Sequence, residues 1–100
     1  MKSALKTLTR IQKFQIDEQR KILSELQEKQ DILQAQLEQL NRDFEQEKEF
    51  ARNNAGVGDF GAYVKRYMQQ RENLEMQIAV LEKKIEHERD VMADMFKAVS

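Results

Sequence analysis

The feature that most constrains this chain is a seam in its second half. Alternating steps of four and three from Phe60 land on Val64, Tyr67, Arg71, Leu74, Ile78, Leu81, Ile85, Glu88, Met92, Met95 and Val99. Ten of these twelve positions, Phe60 included, are apolar, and Arg71 and Glu88 are the exceptions. A 3.5-residue repeat held for about five heptads makes a narrow stripe that a helix buries against another helix. The rest of the chain must therefore supply the partner.

It does so from Leu5, through Thr9, Gln12, Ile16, Gln19, Leu23, Leu26, Gln30, Leu33, Leu37, Leu40, Phe44, Glu47 and Ala51, nine of fourteen being apolar. Gln, Glu, Lys, Leu and Ala dominate this stretch, and all favour helix. No proline interrupts the chain, and its three glycines fall between 56 and 61. The residues between therefore predict one helix over 3–52, a turn over 53–59 and a second helix over 60–99. Asn53, Asn54, Gly56 and Gly58 tolerate the left-handed backbone of a reversal. Asp59 is placed to cap the second helix. Opposite charges four apart at Asp17/Lys21, Glu25/Lys29 and Glu38/Arg42 predict ion pairs on the solvent face.

Folding the chain back so that paired numbers sum to 111 matches Ala51 with Phe60, Phe44 with Tyr67, Leu37 with Leu74, Leu33 with Ile78, Leu26 with Ile85 and Ile16 with Met95. Each pair joins an a-type to a d-type position, as antiparallel packing requires. The expected fold class is all-α, an antiparallel two-helix coiled-coil hairpin forming a single domain over 1–100. Residues 1–11 overhang. Four layers are imperfect: Gln30 faces Leu81, Arg71 faces Leu40, Glu88 faces Leu23 and Gln19 faces Met92. Polar seam residues either fix the register or loosen the pairing.

Net charge is −1, but residues 1–24 carry six Lys or Arg against two acids, and residues 25–50 carry three against eight. No cysteine is present, which excludes disulfides and thiolate metal sites. No run of about eighteen apolar residues exists to span a membrane, and the chain is expected in the cytoplasm. His87 is the lone histidine and falls on an outer face. The acid pairs Glu45/Glu49, Glu82/Glu86 and Asp90/Asp94 lack a companion histidine, and the glycines lack a following Lys-Ser/Thr. The expectation is no enzyme, no cofactor and no metal.

Two clusters are candidate contact surfaces. At the terminal end, Lys2, Lys6, Arg10 and Lys13 oppose the dipole of their own helix, at roughly 0.3 kcal/mol or more each. Leu8, Ile11 and Phe14 add a second apolar face there, and the register brings Met95, Phe96 and Val99 close by. The set reads as an apolar centre with a positive rim, suited to a protein partner ahead of a lipid surface, with nucleic acid least favoured. Near the turn, Phe50, Phe60, Tyr63 and Tyr67 concentrate more aromatic surface than two helices cover.

A basic start with Leu5, Leu8 and Ile11 spaced by threes, a Gln/Glu-rich first helix, a short break and a second helix opening Phe60-x-x-Tyr63-x-x-x-Tyr67 resemble the FliJ family. That family is the soluble coiled-coil component of the flagellar type III export apparatus. The resemblance covers nearly the whole chain. It implies a long antiparallel hairpin similar to the stalk subunit of rotary ATPases, acting by contact. The implied partners are the hexameric export ATPase, the cytoplasmic domain of the export gate and export chaperones. It also implies a place at the inner face of the membrane at the flagellar base, with membrane association only peripheral and indirect. In this reading Lys6, Leu8, Arg10, Ile11, Lys13, Phe14, Met95, Phe96 and Val99 meet the ATPase, and Phe50, Phe60, Tyr63 and Tyr67 meet the gate. Generic coiled-coil chaperones or scaffolds, and peripheral membrane binders using the basic N-terminus, are the competing classes.

Overall fold

The computed structural model describes residues 2–99; the side chains of Lys2 and Val99 lie outside the described residues, and with them the expected Val99 contact. Two helices account for nearly everything: α1 is Lys2–Asn53 and α2 is Phe60–Val99. They pack against each other as an all-α helical hairpin. Their pairing divides into two compact units, one joining residues 1–29 to 81–100 and the other comprising 30–80.

Burial follows the 3.5-residue repeat. In α1 every seam position from Gln12 to Phe44 is buried or half-buried, and in α2 so is every one from Phe60 to Met95. The deepest apolar side chains are Ile16, Tyr67, Ile78 and Ile85. A seam between two helices shields only one side of each residue. Most layers therefore gain only part of the ~1.5–3 kcal/mol that full burial of a large aliphatic side chain contributes. At the start of α1 the seam positions Leu5 and Thr9 are exposed, as the overhang predicts.

In the 30–80 unit the register is visible directly. Phe44 and Tyr67, a pair of the constant sum, stack with centroids 4.0 Å apart and planes 7° from parallel. The reversal follows its residue chemistry. Gly56 and Gly58 take φ of 85° and 74°, while Asn53 and Asn54 do not. The Asn54 side-chain amide instead donates to the Phe50 carbonyl at 2.9 Å, satisfying one acceptor that the end of α1 leaves free. Asp59 caps α2: its carboxylate accepts from the Ala62 amide at 3.0 Å, and its carbonyl receives the Tyr63 amide at 3.3 Å.

In the unit of residues 1–29 and 81–100, two of the imperfect layers prove to be one contact. Gln19 is 4% exposed. Its amide donates to the Glu88 carbonyl at 2.9 Å and also to the Glu88 carboxylate. Glu88 lies one turn from Met92, the residue the register sets opposite Gln19. The bond reaches diagonally across the layer and ties α1 to α2 there. The ion pairs depart from expectation: Asp17 meets Arg20 at 3.6 Å, three residues on rather than four. Arg42 donates to Gln39 at 2.8 Å, and Gln39 in turn donates to Asp43. These exposed pairs contribute little to stability.

Candidate contact surfaces

Each unit carries one of the two candidate surfaces. In the terminal unit, Leu5, Gln12, Gln19 and Leu26 take the d positions of the heptad, and Thr9, Ile16 and Leu23 take the a positions. Lys6, Lys13 and Arg20 are then e residues, Arg10 is b, Leu8 is g, Ile11 is c and Phe14 is f. Antiparallel pairing puts e residues of both helices on one flank and g residues on the other. Phe96 is an e residue of α2, and the Arg20 guanidinium lies 5.8 Å from the centre of its ring. That stacking confirms the flank.

A shallow depression there is lined by Thr9, Lys13, Ile16, Asp17, Arg20 and Phe96. Phe96 remains 43% exposed at its edge, and Met95 sits half-buried in the seam beside it. A second depression, lined by Leu5, Lys6, Thr9 and Arg10, continues along the same flank. Apolar surface and positive charge coincide here. The nine-residue terminal set does not converge on one spot, however. Leu8 and Ile11 occupy the opposite flank of α1, and Phe14, 65% exposed, points away from α2 altogether. Nearness along the chain groups these residues, whereas their heptad positions divide them between the e flank and the g flank.

In the 30–80 unit the four turn-end aromatics also divide. Phe60 and Tyr63 stack about Phe44 with centroids 6.3 Å from it, and 6.2 Å from each other. Tyr67 is buried beneath, its hydroxyl bonded to the Asn41 side chain at 2.7 Å and its ring 5.4 Å from the Arg71 guanidinium. Tyr63 therefore belongs to a packed ladder rather than standing clear of the seam. Phe50 alone of the four is largely open. Phe44 is the hub of this ladder. The sum rule had paired it with Tyr67 but gave no sign that three rings would gather on it.

A cleft beside the ladder is lined by Phe50, Val57, Phe60 and Tyr63 with Glu47, Asp59 and Arg66. Burial first, and then the carboxylates of Glu47 and Asp43, hold the Tyr63 phenol above its ordinary value of 10.0. This surface is aromatic and acidic, whereas the terminal one is aromatic and basic.

No helix among the described residues is long and apolar enough to cross a membrane. No group of three or more His, Cys, Asp or Glu among them could hold a metal ion. Compared with protein families, curated proteins and solved structures, the chain has no match.

Proposed function

We propose that this chain is a non-enzymatic accessory, stalk-type protein of the flagellar type III export apparatus, binding the export ATPase and the export gate and coupling them. The identity of the partners rests on the resemblance to the FliJ family. The observation that carries a contact role is the open e flank, where Phe96 lies exposed among Lys13, Arg20 and the apolar edge of Ile16. An exposed aromatic beside guanidinium and ammonium groups is the composition of an interface anchor. Phe96 with Lys6, Lys13 and Met95 is assigned to the ATPase, and Phe50 with the neighbouring cleft to the gate. Export chaperones are further candidate partners, at the flagellar base in the cytoplasm.

Calorimetry with purified export ATPase tests this. Phe96→Ala should weaken binding about tenfold or more if the ring is an anchor. Lys6→Glu with Lys13→Glu should slow association at low salt and much less at high salt. Affinity unchanged by Phe96→Ala, or no binding by the parent chain, would sink the reading in favour of a generic coiled-coil scaffold or chaperone.

A further inference from the structure

The first three turns of α1 sort their side chains by kind. Ala4, Leu8 and Ile11 occupy the c and g positions, Lys6, Arg10 and Lys13 occupy e and b on the other side, and Leu5 at d borders both, sharing a depression with Lys6 and Arg10. None is covered: Leu8 and Ile11 are 51% and 50% exposed, and Leu5 is more open still. No acidic residue precedes Asp17. The apolar arc ends at Glu18, the next c position, so it spans residues 3–15 and goes no further.

This separation bears on what covers the apolar arc. A protein docked on Leu8 and Ile11 would not reach the cations on the far side of the same helix. A bilayer interface accommodates both. The apolar arc enters the boundary between headgroups and acyl chains, while the long Lys and Arg arms extend to phosphates at the level of the headgroups. The absence of acid matches a negatively charged surface along the entire arc.

We propose that residues 3–15 of α1 seat on an anionic phospholipid bilayer through Leu5, Leu8 and Ile11, with Lys6, Arg10 and Lys13 binding lipid phosphates. The proposal is carried by Leu8 and Ile11 on the flank opposite Phe96, and it shares only Lys6 and Lys13 with the export reading. The ligand is the lipid surface itself, held peripherally. Each cation near the surface adds roughly fivefold to partitioning at physiological salt, and screening reduces the gain at higher salt.

Flotation of the full chain with vesicles of phosphatidylglycerol and phosphatidylcholine in equal parts, compared with phosphatidylcholine alone, provides the test. The chain should float with the anionic vesicles only. Leu8→Gln with Ile11→Gln should lower partitioning about tenfold or more, since both side chains leave an apolar environment. Ile32→Gln, which removes one apolar side chain of similar exposure elsewhere on α1, should leave it unchanged. All three positions are exposed, and circular dichroism checks that helicity persists. Because the chain has no tryptophan, Leu8→Trp supplies a single probe whose emission should shift to the blue on anionic vesicles. Absence of flotation at low salt overturns the proposal. So does flotation that survives Leu8→Gln with Ile11→Gln, which would be charge attraction alone. Loss of ATPase binding in that double variant with vesicle binding intact would make this flank a protein face and likewise overturn it.

Discussion

Gln19 and Glu88 interrupt a seam that apolar residues could have filled, and each makes sense only with the other. The Gln19 amide is nearly out of water and uses Glu88 twice, once through backbone and once through side chain. Glu88→Ala keeps the backbone acceptor and removes the carboxylate, leaving the amide short of a partner in a buried place. The expected loss is about 1–3 kcal/mol, read from urea unfolding. Gln19→Leu combined with Glu88→Leu should recover most of it, because matched apolar replacement of a buried polar pair is often neutral or stabilising. A neutral Glu88→Ala would mean the carboxylate contributes nothing to the fold. Heptad spacing exposed both residues as exceptions but set them against Met92 and Leu23. Their bond to each other depends on a diagonal reach that position numbers do not contain.

The helices themselves were legible almost to the residue, for identifiable reasons. Apolar spacing marked the buried stripe, the absence of proline let each helix run on, and glycine with asparagine placed the reversal. The sequence boundaries of 52 and 60 compare with Asn53 and Phe60 in the structure. What the pattern missed involves Asn41 and Tyr63, which lie beside the seam: Asn41 under Tyr67, and Tyr63 stacked with Phe60 on Phe44, where ring shape rather than periodicity decides the contact. The start of α2 depends on a single side chain. Asp59→Ala removes the acceptor of the Ala62 amide and should cost about 1 kcal/mol, whereas Asp59→Asn should retain most of the cap. Thermal unfolding of the two variants distinguishes them, and equal losses would assign the effect to charge at the helix N-terminus instead.

For the whole molecule, the primary question is whether the seam closes within one chain. Leu37 and Leu74 are half-buried seam partners in the 30–80 unit, and the chain has no cysteine to confuse a crosslink. Cysteines at these two positions should bridge within a monomer on oxidation, seen as a faster-running band on a non-reducing gel. Bridges formed only between chains would replace the hairpin with a dimer of another register. Function was less legible than fold because the seam is written in buried positions, which repeat, whereas contact surfaces are written in the remainder, which does not. One detail of the first turns bears on how such a contact would form. The Thr7 and Thr9 hydroxyls already donate to the Ser3 and Leu5 carbonyls at 2.9 Å. Drying this stretch therefore strips little water from its hydroxyl donors, and the dehydration penalty falls on cationic groups at the tips of long arms. Those tips can stay wet while the helix body does not, so attachment and release of this end would proceed without any part of α1 having to unwind.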